Sequence, residues 1–225
     1  YPDKLKVASR DLTNIPLIRA LSETKIPIII STGMSGKEDL DNALNVITKE
    51  HSDISILHCT SEYPTQPKNV NLNSIRYLHK NYPNYTIGFS DHTIGISAPI
   101  SAVAMGAEII EKHITLDRGL KGSDQKGSLG IDGMERLIRD IRLYKLYLGK
   151  EDLFLNDDLI KTKVKLERSI ATNKPMKKGD KISITDIHLL SPGDGFKWIN
   201  KSDIVGSILN CNISQDEIIY ENMIE

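Results

Sequence analysis

His92 directly follows the apolar run "YTIGFSD" (85–91), and His113 sits near the end of another, "EIIEKHI" (108–114). Neutral imidazoles at the ends of successive strands can share one divalent ion and leave it open positions for a substrate. The competing reading is two unrelated histidines, one capping a helix and one satisfied in a loop. Asp91 can orient an imidazole as an acceptor or cap the helix that follows it. Two lysines lie in strand-like runs. Lys6, with Ser9 close by, is a candidate for holding a phosphate or carboxylate, whereas Lys112 is expected at the outer edge of its strand. Ser31, ahead of Thr32 and Gly33, has the composition of a phosphate-contacting turn at a helix entry, and equally of an ordinary cap. "HCTSEYP" (58–64) brings a hydroxyl, a carboxylate and a phenol to one strand end. Cys59 in that stretch is expected to be packed, because its neighbour His58 points to the opposite face of a strand. Asp124, in the Gly-rich stretch "GLKGSDQKGS" (119–128), either touches a polyol or closes a turn.

These residues need elements to carry them. Short Ile/Val-rich runs recur at 5–9, 26–32, 54–60, 85–91 and 108–114, and a longer stretch follows each one. In 36–50, Leu40, Ala43, Leu44 and Ile47 fall at helical spacing; in 132–145, Met134, Leu137, Ile138 and Ile141 do the same. Strand starts recur every ~20–30 residues, the length of one βα unit, so the strands are expected to be parallel with helical crossovers. An open doubly wound sheet and a (β/α)₈ TIM barrel both fit this rhythm. No G-x-G-x-x-G follows any strand, and polar residues end strand after strand, which favours a barrel with all those ends at one mouth. Five units are too few to close one, so residues 1–150 are expected to be the C-terminal part of a barrel domain whose first strands lie outside this chain. A charged helical linker is expected over 151–166. A small β-rich module with tight turns is expected over 167–225, where Pro-Met, Lys-Gly-Asp and Ser-Pro-Gly-Asp-Gly break up the β-prone pieces.

Composition narrows the function classes. The 225 residues include 39% hydrophobic ones, 29 basic and 30 acidic, for a formal charge of −1. That balance gives no electrostatic footprint for nucleic acid or a membrane surface. No signal peptide or membrane-length apolar run is present. The two cysteines, Cys59 and Cys211, fall in different expected domains, so reduced thiols in a cytoplasmic protein are the expectation.

Taken together, "KVASRDLTNIPLI", "PIIISTGMS", "LHCTSEYP", "GFSDHTIG", "EKHITLDRGLKGSDQKGSL" and "SPGDG" resemble the sialic acid synthase family, which includes the legionaminic and pseudaminic acid synthases. The resemblance runs in order over nearly the whole chain. Members join phosphoenolpyruvate to N-acetylmannosamine or a related amino sugar, with a divalent metal ion, Mn2+ or Mg2+, as cofactor. The resemblance implies a TIM barrel followed by a SAF, antifreeze-like β-clip domain. It also implies a domain-swapped homodimer in which that module covers the partner's active site. By position, Lys6, Ser9, Ser31 and Ser90 match residues that hold the phosphate and carboxylate of phosphoenolpyruvate. His92 and His113 match the metal ligands, and Tyr63 and Asp124 match contacts to the amino sugar. Three positions depart from the pattern. Asp11 stands where many members place a catalytic glutamate and is the candidate for proton transfer, and Ser61 replaces a phosphate-contacting asparagine. Ser191 stands where some members put an arginine. Two other functions compete: another phosphoenolpyruvate- or pyruvate-dependent barrel aldolase or lyase, with Lys6 as a Schiff-base amine, and a non-enzymatic carbohydrate-binding protein on a degenerate barrel.

Overall fold

The structure is a computed structural model and describes residues 2–153 and 155–225. Tyr1, which opens the first stretch, and Phe154, in the expected linker, lie outside the described residues. Two compact units divide the chain, Tyr1–Lys150 and Glu151–Glu225.

In the first unit five strands form one sheet: β1 (Leu5–Val7), β2 (Ile28–Ser31), β3 (Ile54–Cys59), β4 (Thr86–Asp91) and β5 (Ile109–Lys112). Every pairing is parallel and the spatial order is the chain order, β1-β2-β3-β4-β5. A doubly wound sheet reverses its strand order at a switch point. This sheet never does, so it is the half-barrel arrangement, and its C-terminal strand ends lie side by side. Helices α1 (Ile15–Glu23), α2 (Lys37–Ile47), α3 (Asn73–Asn81) and α4 (Ser97–Ala104) connect the strands, and α5 (Ile131–Tyr147) follows β5.

Residue type explains the placement. β3 and β4 are central and β-branched or aromatic on the outward face, so they are buried almost throughout. Val7, Ile18, Ile30, Ile47, Ile56, Ile75, Ile87 and Phe89 are each at most 1% exposed and form the core between sheet and helices. Leu40, Ala43, Leu44 and Ile47 of α2 are all buried, as their spacing predicts. α5 differs: of its expected apolar face only Leu137 is buried, and Ile138 is exposed. The helix packs against α4, and the rest of its stripe stays partly or fully exposed.

In the second unit, α6 (Ile160–Leu166) precedes an antiparallel pair, β6 (Ser169–Thr172) and β7 (Ile187–Leu190). Isolated bridges such as Met176–Ile213 and Leu209–Ile224 extend the β character beyond that pair. Ile170, Ile182, Ile204 and Ile219 centre a separate core. Gly195 is needed where it stands, because a Cβ there would lie 2.5 Å from Ile218 Cγ2. Both cysteines are free thiols.

Candidate active site

Period-two alternation along each strand sorts the strand-end residues into two faces. One face carries Lys6, Ser31, Cys59, Ser90 and Glu111; the other carries His58, Phe89 and Lys112, turned toward the helices.

On the first face Lys6 reaches across the sheet. Its ammonium donates to Ser31 Oγ at 2.8 Å and to the Val7 carbonyl at 3.1 Å, and lies 3.6 Å from a carboxylate oxygen of Glu111. The other Glu111 oxygen accepts from Ser90 Oγ at 2.6 Å. Four strands, β1, β2, β4 and β5, thus supply one connected row, Ser31–Lys6–Glu111–Ser90. A hydroxyl, a carbonyl and a carboxylate surround the Lys6 ammonium, the opposite of the apolar setting that frees a lysine for Schiff-base chemistry. Beside this row Ser9 Oγ accepts the Gly33 N–H at 2.9 Å. Gly33 is required there: a Cβ would overlap Ser61 Oγ and lie 2.7 Å from Ser9 Oγ and 2.8 Å from Cys59 Sγ. Ser61 donates its N–H to the Gly33 carbonyl, while its own hydroxyl oxygen is buried without a protein partner. A hydroxyl left in that state is one a ligand oxygen can satisfy.

The two histidines close the other side. Their ring centroids are 5.1 Å apart at 85°, edge to face, and the Tyr63 ring lies 4.1 Å from His92 and 5.8 Å from His113. These three rings, with Pro64, Ser123, Asp124 and Gly127, line a small open hollow. His92 Nδ1 is 2.9 Å from the Thr60 carbonyl. A carbonyl only accepts, so Nδ1 carries the proton in the neutral ring and the lone pair sits on Nε2. His113 Nδ1 faces an Asp124 carboxylate oxygen at 3.7 Å, a charge contact rather than a hydrogen bond. No cluster of three or more His, Cys, Asp or Glu side chains among the described residues could hold a metal ion. The pair of imidazoles is what these residues offer, and it suits an ion whose remaining positions belong to substrate or water. The donor set fits a divalent ion.

Cys59 corrects the sequence reading in part. It is buried, and His58 does face away, bonded through Nε2 to the Val70 carbonyl at 2.7 Å. Its sulfur nevertheless lies 3.8 Å from His92 Nδ1, an imidazole that comes from the next strand. Burial pushes the thiol up, but hydrogen bonds from His92, Ser9 and Ser90 outweigh it, and the pKa falls below the ordinary value. Burial pushes the His92 imidazole down, and Cys59, the Thr60 carbonyl and the Asp91 charge more than offset it, so its pKa is raised.

Lys112 is not at an outer edge. Its side chain is 2% exposed and pairs with Asp91, itself fully buried, at 2.6 Å. Asp91 accepts from no imidazole and does not cap α4, which Ile96 precedes; its second oxygen accepts the Thr93 N–H at 2.8 Å. Asp11 follows β1 in a 3-10 turn, with Arg10 and Asn14 each 3.5 Å from its carboxylate. The carboxylate inside the row is Glu111, which the sequence reading did not single out. It precedes His113 by two residues, so the alternation that continues one residue past β5 places both at the mouth.

The profile of the NeuB family matches residues 2–152, and that of the SAF domain matches 167–225. The N,N'-diacetyllegionaminic acid synthase of Legionella pneumophila is 35% identical over 99% of this chain and 64% of its own length. A pseudaminic acid synthase of Campylobacter jejuni is 34% identical over 86% of this chain and 56% of its own length. The chain therefore spans less than two thirds of these relatives. Among solved structures, an N-acetylneuraminic acid (sialic acid) synthetase from Leptospira borgpetersenii in complex with citrate superposes with a TM-score of 0.65 at 35% identity, over 71% of this chain and 56% of that one.

Proposed function

The chain belongs to the NeuB family and carries a SAF domain, and from that premise we propose that its protein condenses phosphoenolpyruvate with an N-acetylated amino sugar to give a nonulosonic acid and phosphate. The observation that supports this reading is the meeting, at one end of the sheet, of an anion-binding row and a pair of imidazoles. The sugar is N-acetylmannosamine or a mono- or diacetamido relative of it. The protein works as a cytoplasmic homodimer, in a barrel of which these five strands are only a part.

In this scheme Lys6, Ser9, Ser31, Ser61 and Ser90 bind the phosphate and carboxylate and hold the enol so that its C3 meets the aldehyde carbon of the open-chain sugar. Ser61 brings the hydroxyl that has no other partner. Tyr63 and Asp124 position the sugar beside the histidines. His92 and His113 would hold a divalent ion, Mn2+ or Mg2+, through Nε2. When bound, that ion supplies a Lewis acid for the negative charge that develops on the aldehyde oxygen. The new C–C bond leaves an electron-poor C2, water adds there, and the tetrahedral carbon expels phosphate with C–O cleavage. Asp11 moves the proton lost by the water or gained by the sugar oxygen.

The test is phosphate release from phosphoenolpyruvate by the intact protein with a panel of 2-acetamido and 2,4-diacetamido sugars. One sugar should support metal-dependent turnover, and His92→Ala should abolish it. Full activity in that variant removes the metal role, and no turnover with any sugar removes the synthase reading.

A further inference from the structure

Both histidines lie one residue beyond their paired strands. β4 ends at Asp91 and β5 at Lys112, and these two residues are register partners across the sheet. The ladder therefore stops one position short of each imidazole; the Thr60 carbonyl holds the His92 ring itself, and something else has to fix the backbone on either side of it. Lys112 does this from the face opposite the mouth. Its ammonium donates to Asp91 at 2.6 Å and also to the Thr93 carbonyl. Asp91 closes the loop by accepting the Thr93 N–H at 2.8 Å. The residues before and after His92 are thus tied to one side chain, which comes from the residue before His113. The His113 carbonyl is held in turn by the Leu129 N–H at 2.9 Å.

We propose that Lys112 is a positioning residue, whose ammonium acts through Asp91 and Thr93 to set the spacing of the His92 and His113 imidazoles for a shared divalent cation. The proposal rests on the metal reading above. Stability alone does not account for the pair: burying two charges carries a heavy desolvation penalty, and an apolar pair of similar volume often serves a fold as well or better. An apolar pair cannot bridge two named acceptors on one loop. The ammonium's several N–H groups can, and they do so where the ladder gives out.

Lys112→Met alone leaves the buried Asp91 carboxylate without its counter-charge, and that variant is expected to be strongly destabilised. The informative variant is Asp91→Asn/Lys112→Met, which removes both charges, keeps the volumes and leaves an acceptor for the Thr93 N–H. Mn2+ binding is measured by titration calorimetry on the intact wild type, on this double variant and on His92→Ala, with folding followed by circular dichroism. The wild type should bind one ion and His92→Ala none. The double variant should melt close to the wild type yet bind Mn2+ about 10- to 100-fold more weakly, the usual effect of losing a partner that orients a ligand. Wild-type affinity in the folded double variant overturns the proposal. If the wild type binds no ion, the metal reading falls, and crystal structures of the two proteins decide the positioning role. Rings still 5.1 Å apart in the double variant refute it, and separated rings uphold it.

Discussion

Glu111 puts a carboxylate where, in the proposed reaction, the anionic groups of phosphoenolpyruvate would bind. It takes the Ser90 hydroxyl and lies beside the Lys6 ammonium, so in the free protein it stands in for the anion these groups would otherwise bind. Glu111→Gln keeps the shape and the acceptor and removes a like charge. Inorganic phosphate should then bind on the order of tenfold more tightly by calorimetry, a modest share of the repulsion expected between charges a few ångströms apart at a half-exposed site. Weaker binding would instead make the Glu111 charge a support that keeps Lys6 in place. The same residue shows what the sequence made legible. His92, His113, Ser90, Ser31 and Lys6 stand out because histidines, hydroxyls and a lysine in apolar strands are conspicuous by type. Glu111 and Lys112 were separable only by parity, since residues two apart share a face and neighbours do not. Parity counted from His113 assigns Glu111 to the mouth and Lys112 to the core, against the expectation for Lys112. Cys59 meets an imidazole from another strand, a contact no local window contains.

Among the elements, β3 shows how one strand serves two environments. Cys59 faces the site, while His58 turns away, stacks on Phe89 with ring centroids 5.8 Å apart and bonds the Val70 carbonyl ahead of α3. Burial holds the His58 imidazole below its ordinary 6.5, with the carbonyl offsetting only part of that effect. The unfolded chain therefore takes up a proton at a pH where the folded one does not, and stability rises with pH in that interval. His58 should contribute no pH dependence above about 6.5 and a loss that deepens from there down to its folded pKa. Urea unfolding of wild type and His58→Gln between pH 5 and 7.5 checks this: the wild type should lose stability more steeply toward acid, and parallel curves would refute the assignment. Strands and helices were readable because their apolar periods are clean, as in α2. The α5 stripe was readable too, but its burial was not, because coverage depends on what packs against the helix and no periodicity encodes that.

At the scale of the molecule, the change from βα rhythm to short β pieces announced two parts, and each part has its own core. In the second unit Ile170 and Ile219 are fully buried, and Ile182 and Ile204 are at most 1% exposed. Residues 151–225 expressed alone should therefore unfold in one cooperative transition by circular dichroism; a gradual, featureless loss of signal would show that this core depends on the first unit. Unit length alone left a doubly wound sheet and a barrel both open; the polar strand ends and the missing G-x-G-x-x-G favoured the barrel, whose strands run in chain order. That order has one more consequence. β1 and β5 each pair on one side only among the described residues, so the row of strands ends in two lines of backbone N–H and C=O groups able to accept another strand. Handled by itself, this stretch of chain carries two adhesive margins, and its solubility hangs on whatever strands come to lie against them.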